Sequence, residues 1–309
     1  MDRNTVLIIG SLNYDYILRT AHLPQKGETL TAESFEICPG GKGANQAVQC
    51  AKLGLPTYMA GAVGDDFMGT FLYDGLKEYG VDVSRVKVEH GTSGFAMASA
   101  AGKGNIFATI VKGTNELVCP ADIDALDTLF SRAAVVVLQL EIPTETVEYA
   151  IIQARRHSCT IVLNTAPAKP VRKDCLALCD FVVMNEVEAQ FYGEIPLITR
   201  DNAGYHVKEL STGYGNTCII TLGGDGAVIS TKGGPPNHFA AYDAEAVETT
   251  GAGDSFIGGI VYGIIHSMPL DGIMAFASCC SGITIQSVGA QPAMPNLDHV
   301  LPLIEKYKR

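Results

Sequence analysis

Thr249-Thr250-Gly251-Ala252-Gly253-Asp254-Ser255-Phe256 joins a glycine turn and a carboxylate to Ile257–Ile265, an apolar run of helix length. Gly251, Ala252 and Gly253 can turn successive backbone N–H groups toward one point at a helix N-terminus. That arrangement is an anion hole suited to phosphoryl oxygens. Asp254 falls in the first turn, where a carboxylate is also an ordinary cap. An anion site and a carboxylate within one turn are nevertheless what phosphoryl transfer demands: charge stabilisation beside a base for the attacking hydroxyl. The spacing favours that reading.

A second cluster is Pro39-Gly40-Gly41-Lys42-Gly43-Ala44-Asn45-Gln46-Ala47. Its glycines allow close approach of backbone to a ligand, Lys42 is a mobile cation, and Asn45 offers donor and acceptor to a polyhydroxylated molecule. A glycine-rich turn capping a helix explains the same residues equally well. It is not a phosphate loop of the GxxxxGK[ST] type. A third, Met184-Asn185-Glu186-Val187-Glu188-Ala189, sets Asn185 and Glu188 three apart on one helix face, suited to Mg²⁺ waters or a phosphate. Asn185 as a plain N-cap is a complete alternative, and both can hold at once. Thr221-Leu222-Gly223-Gly224-Asp225-Gly226 is a strand and a glycine turn, passing under a nucleotide or merely closing a hairpin. Asp65 and Asp66 read as helix-start residues. The first strand lacks GxGxxG, no GxSxG occurs, and the seven histidines show no metal spacing.

The elements that must carry these clusters alternate. Strand-length apolar runs occur at Val6–Ile9, Tyr58–Val63, Ala134–Leu140, Thr160–Leu163, Phe181–Met184 and Cys218–Leu222. Helix-length segments lie between, at Ala44–Leu53, Met68–Tyr79, Thr144–Arg156 and Glu186–Tyr192. This alternation predicts a mostly parallel sheet with helices on both faces and ligands beyond the strands' carboxyl ends, where Asn13, Asp15, Glu141 and Asn185 fall. Tyr14–Cys38 and Ser93–Lys112 break the pattern; the latter alternates about a turn at Gly102-Lys103-Gly104-Asn105. These are antiparallel pieces outside the main sheet, either a lid or edge strands.

With 309 residues, 47% hydrophobic and 18% charged, the chain has ample material for a core and no linker dividing it. A net charge of −11 without a dense Lys/Arg cluster argues against nucleic acid, and leaves any phosphate site to local N–H groups, cations and Mg²⁺. No run approaches the ~18 apolar residues of a membrane span, and Val6–Ile9 is too short for a signal peptide. Nine cysteines without CxxC pairs suit reduced, buried thiols and a cytoplasmic location.

PGGKGANQA at 39–47 and TTGAGDSF at 249–256 resemble the two signatures of the ribokinase family, within the wider group of carbohydrate and nucleoside kinases. The resemblance covers nearly the whole chain through GSLNYD at 10–15, LPQKGET at 23–29, VGDDFMG at 63–69, LQLEIP at 138–143, NTAPA at 164–168, MNEVEA at 184–189, ITLGGDG at 220–226 and GAQPAMP at 289–295. It implies one unit over 1–309: a three-layer, doubly wound α/β fold with a small antiparallel β lid at about 14–38 and 93–112. It implies a kinase that uses ATP and Mg²⁺, forms a homodimer through the lid, and has Asp254 as base with Gly251, Ala252 and Gly253 as the anion hole. Asn13, Asp15, Gly41, Lys42, Asn45 and Glu141 match sugar ligands. Asn185, Thr221, Gly223, Gly226 and Ser278 match nucleotide contacts, and Glu188 matches a residue associated with Mg²⁺ and phosphate. The resemblance further implies an activating K⁺ near Glu248, Thr250, Thr284, Ser287 and Gly289. Here the chain departs: ribokinases generally have Asp where Glu248 stands, and Ser287 and Ala293 also replace the usual residues. Ribose is the expected acceptor; 2-deoxyribose, a ketohexose or a nucleoside is the alternative. A sugar-binding regulator without catalysis and a nicotinamide-dependent oxidoreductase are the more distant rivals.

Overall fold

The computed structural model describes residues 3–101 and 105–307. The chain begins with β1 (Thr5–Ile9), then β2 (Asn13–Arg19), β3 (Ser34–Gly40) and α1 (Lys42–Lys52). It continues through β4 (Thr57–Gly64), α2 (Phe67–Glu78), β5 (Asp82–Glu89), β6 (Gly94–Ala101) and β7 (Asn105–Val111). Next come α3 (Pro120–Asp124), α4 (Asp127–Arg132), β8 (Ala133–Leu138), α5 (Thr144–Arg156), β9 (Thr160–Asn164) and α6 (Lys173–Leu178). These are followed by β10 (Phe181–Met184), α7 (Glu186–Gly193), α8 (Arg200–Tyr214), β11 (Thr217–Thr221), β12 (Ala227–Thr231) and β13 (Asn237–Phe239). Three helices close the chain: α9 (Ala252–Ile265), α10 (Leu270–Thr284) and α11 (Leu297–Tyr307).

Among the described residues, the large sheet has the order β13-β12-β11-β10-β9-β8-β1-β4-β5. Every pairing from β11 to β5 is parallel; β12 and β13 add antiparallel at one edge. Strands buried on both faces read as continuous apolar runs, and alternate residues supply two cores. Val6 and Ile8 pack toward α1, α9 and α10, whereas Leu7 and Ile9 pack toward α4 and α5. The chain runs outward from β1 to β5 on one side and from β8 to β11 on the other. That reversal makes β1 and β8 a topological switch point, where ligands collect in such sheets.

The second sheet, β3-β2-β6-β7, holds the two segments that broke the alternation. Its outer pairs are antiparallel, but β2 and β6 run parallel, Asp15 opposite Ala96. Both strands leave the large sheet in the same direction, one after β1 and the other after β5, which dictates that pairing. The turn expected at Gly102-Lys103-Gly104-Asn105 lies largely outside the described residues. Two helices start earlier than their apolar runs. α1 begins at Lys42, because Gly41 at φ 86° turns the chain directly into it, and α9 begins at Ala252.

Candidate active site

Asp254 sits in the first turn of α9. Gly251 precedes it at φ 79°, and a Cβ there would lie 2.8 Å from the Ala290 Cβ, so both conformation and space exclude a side chain. The Ala252 N–H bonds Thr249 O at 3.2 Å and the Ser255 N–H bonds Gly251 O at 2.8 Å. The first-turn donors of Gly253 and Asp254 have no carbonyl partner in helix geometry, and Gly253 is exposed. Of the turn expected to form an anion hole, Gly251 to Gly253, the Ala252 N–H is engaged within the turn, and the N–H groups of Gly253 and Asp254 are the first-turn donors left over.

Among the described residues α9 has no side-chain cap bond, so capping does not account for Asp254. Its buried carboxylate points instead to α1: Oδ2 accepts from Asn45 Nδ2 and Oδ1 from Gln46 Nε2, both at 2.9 Å. Burial pushes this carboxyl above its ordinary value, opposed by the Lys42 charge and the two amide donors and reinforced by Glu141.

The residues matched to sugar ligands surround the same point. Gly41 packs on the Asn13 backbone, where a Cβ would approach N to 2.7 Å. Glu141, beyond β8, accepts through Oε2 from Ser11 Oγ at 2.5 Å and the Lys42 N–H at 3.0 Å. Among the described residues, Asp15 has a buried Oδ1 without a hydrogen-bond partner. Its carboxyl is pushed up to about 7, first by burial and then by the Glu141 charge, against the Ala96 N–H and Lys42. Burial alone would lower the Lys42 ammonium; Asp254, Glu141, Glu188 and Asp15 outweigh it and raise the net value. Lys42 thus feels all four carboxylates.

A cleft of about 440 Å³ runs from Thr221, Gly223 and Gly226 past Ser278 to Thr249, Ala252 and Gly253. The glycine turn both closes the β11–β12 hairpin and lines this cleft. Ser278 Oγ accepts from the Tyr242 N–H and donates to Ala240 O, shaping the wall. Asn185 is not part of this lining. It caps α7 reciprocally: its Oδ1 accepts the Glu188 N–H at 2.9 Å, and Glu188 Oε2 accepts the Asn185 N–H at 2.7 Å. Burial raises the Glu188 carboxyl despite that N–H and Lys42.

Among the described residues, no three His, Cys, Asp or Glu side chains form a metal cage. Glu188 spends one oxygen on its helix and has the other for an outer contact, a fit for Mg²⁺ held mainly by phosphate and water. At the positions where K⁺ is expected, Glu248 Oε2 accepts the Gly289 N–H at 3.2 Å, tying the two loops together. Thr284 is poorly available: its hydroxyl donates to Ser255 Oγ and Cys280 O, and its carbonyl accepts the Ser287 N–H. Thr250, Ser287 and Gly289 have carbonyls suited to such an ion.

Three contributors escaped the sequence reading: Gln46, Gln139 and Asn115, all buried. Gln46 had a signal, since Lys42, Asn45, Gln46 and Gln49 lie on one face of α1 at helical spacing. Asn115 had none; its contacts to Leu12 and Asn13 span more than a hundred residues.

The sheet order, the cleft beside α9 and the carboxylate at that helix's N-terminus are those of a phosphotransferase acting on small polar acceptors. Residues 3–297 match the model of the pfkB family of carbohydrate kinases, and the chain belongs to that family. It is 37% identical over 302 residues to a ribokinase of Schizosaccharomyces pombe, covering 94% of this chain and 95% of that one. It is 34% identical over 295 residues to a deoxyribokinase of Salmonella typhi, covering 95% and 96%. Its fold superposes on a ribokinase of Arabidopsis thaliana complexed with ribose and ATP, at a TM-score of 0.88, 27% identity and 99% coverage of both chains. The chain is a carbohydrate kinase, a phosphotransferase acting on a sugar hydroxyl.

Proposed function

We propose that this kinase transfers the γ-phosphate of ATP to the primary hydroxyl of ribose, O5, with Asp254 as the base. The observation that carries the reading is the meeting of two sites at α9: the cleft ends at Gly253, and the Asp15–Lys42–Glu141 cluster converges on Asp254. Asp254 accepts the hydroxyl proton as that oxygen attacks in line; first-turn N–H groups of α9 and the Lys42 charge offset the charge of the transferring group. Asn13, Asp15, Lys42, Asn45 and Glu141 orient the sugar, which makes the attack effectively unimolecular. Mg²⁺, when bound near Glu188 and Asn185, neutralises phosphate charge. Asn185, Thr221, Gly223, Gly226 and Ser278 hold the nucleotide.

The protein works in the cytoplasm as a homodimer joined through the small sheet, whose Phe35, Ile37 and Met97 are exposed. A second reading, 2-deoxyribose as acceptor, is favoured by the deoxyribokinase relative. Phosphorylation assayed over pentoses, 2-deoxyribose, ketohexoses and nucleosides tests both. Ribose turning over fastest is the expected result; a faster 2-deoxyribose replaces the first reading with the second.

A further inference from the structure

Both oxygens of Asp254 are held by amides, and each amide is itself held. Gln46 Nε2 donates to Asp254 Oδ1 at 2.9 Å, while Gln46 Oε1 accepts from Gln139 Nε2 at 2.6 Å. Gln46 Nε2 also reaches Asn164 Oδ1 at 3.3 Å. The second arm has the same form: Asn45 Nδ2 donates to Oδ2, and Asn45 Oδ1 accepts from Gln291 Nε2 at 3.1 Å. Gln46 and Gln139 are fully buried, the latter directly after β8 at the switch point.

The direction of the first arm follows from its negative end. An amide oxygen turned toward Asp254 would oppose a carboxylate, so Gln46 must present Nε2, and its Oε1 then needs a donor. Reversing Gln139 would set two carbonyl oxygens face to face at 2.6 Å. Gln139 therefore points Nε2 at Gln46, and its own Oε1 is left without a partner among the described residues. That orphan ends the chain beside Gly10, where any Cβ would collide with it. One unsatisfied acceptor is the cost of delivering a donor to the carboxylate.

We propose that Gln46 and Gln139 are positioning residues for the phosphoryl transfer, a directional amide brace that aims Asp254 Oδ1 and favours its ionised, proton-accepting form. The proposal rests on the reading of Asp254 as base. Burial works the other way, raising this carboxyl, and the charged groups that face it are Lys42 of α1 and Glu141 beyond β8; Glu188 and Asp15 act on Lys42. α9 carries no other acidic or basic side chain, and α10 carries only Asp271. An amide donor to the ionised form lowers a carboxyl's pKa, so removing it raises the pKa and moves the acid limb of turnover to higher pH.

The test compares Gln46→Met and Gln139→Met with wild type in pH profiles of kcat, at saturating ATP and at saturating sugar so that Asp15 is occupied. Asp254→Asn serves as control, and ATP affinity and melting temperature are followed in parallel. Gln46→Met should lower kcat about tenfold at neutral pH and shift its acid limb up by roughly one pH unit, the size of one charge-assisted hydrogen bond. Gln139→Met, which touches neither Asp254 nor substrate, should shift the limb in the same direction by less, with ATP affinity unchanged. An unmoved limb in Gln139→Met overturns the brace even where Gln46→Met fails to fold. Near wild-type turnover in Asp254→Asn removes the base assignment and the brace with it. An inactive Asp254→Asn with unmoved limbs in the glutamine variants sinks the brace alone.

Discussion

Asn115 Nδ2 donates to Asn13 Oδ1 at 2.8 Å, joining the segment after β7 to the first residue of β2 at the root of the small sheet. The same amide accepts the Leu12 N–H at 2.9 Å and donates to Leu12 O at 3.0 Å. The bond to Asn115 fixes which way round the Asn13 amide sits, leaving its Nδ2 donors for the site. A carboxylate in place of the Asn115 amide would face Asn13 Oδ1 and turn the Asn13 amide over. Asn115→Asp is expected to raise the sugar KM about tenfold, the worth of one hydrogen bond, and to leave ATP affinity unchanged. Steady-state kinetics with each substrate varied in turn checks this; equal losses for both substrates would point to general misfolding.

Asp254→Asn preserves shape but sets an NH2 group against one of the two amide donors, and it cannot accept a proton. Turnover should fall by roughly 10²–10⁴, the usual size of a general-base loss, with nucleotide affinity nearly intact. Single-turnover phosphorylation and nucleotide titration separate the two effects.

Asp15 sets the expected pH dependence of sugar recognition. Its folded-state carboxyl, pushed up to about 7, is protonated at pH 6 and ionised at pH 8. An ionised carboxylate accepts from sugar hydroxyls more strongly, so the sugar KM should fall as pH rises through about 7. Stability of the free enzyme runs oppositely. The folded state keeps a proton that the unfolded chain has released, so this group's contribution declines from about pH 4 to pH 7. Asp15→Asn should flatten the KM profile and raise the melting temperature at pH 8 more than at pH 5.5. Unchanged pH profiles in that variant would show that another group titrates.

Much of this site was legible because its pieces are local. A glycine turn and a carboxylate lie within four residues at Gly251–Asp254, and the Asn185–Glu188 pair within four more, so spacing alone exposes them as candidates. The strands were legible because residues such as Val135–Leu138 are buried on both faces and cannot alternate. What was hidden depends on tertiary pairing. Asp254 has its two amide partners more than two hundred residues away, and its choice of those amides over a capping role follows from how α9 packs on α1. The parallel β2–β6 junction was hidden too, since alternation says nothing of strand direction.

Glu248 marks the departure at the expected cation position. It reaches across to the Gly289 N–H, a bond that Asp, one methylene shorter, would strain to keep. Wild-type turnover is expected to change less than about twofold between Na⁺ and K⁺, and Glu248→Asp, with its carboxylate drawn back toward the cation position, to respond more strongly. Initial rates in matched chloride salts decide it, and strong K⁺ activation of the wild type would show that Glu248 serves as a ligand unaided.

The small sheet provides the last test. In its register Ile37, Tyr16 and Met97 stand on one rung, pointing to the same face, with Phe35 two residues along β3. Met97 is 49% exposed, Ile37 40% and Phe35 56%, a contiguous apolar strip on a sheet projecting from the main domain. Apolar surface in that position calls for a partner, and a second copy supplies the same strip. A buried unpaired carboxylate at its centre would cost several kcal/mol (~3 or more), enough to undo a micromolar dimer. Met97→Glu should therefore convert a dimer to a monomer in light scattering at micromolar concentration, whereas Val187→Glu, an exposed position on α7, should not. The monomer should also show a raised sugar KM, because Asp15 projects from the opposite face of the same β2 strand and depends on that sheet for its position. A wild type that is already monomeric would remove the dimer from the proposed function and leave the phosphotransfer chemistry untouched.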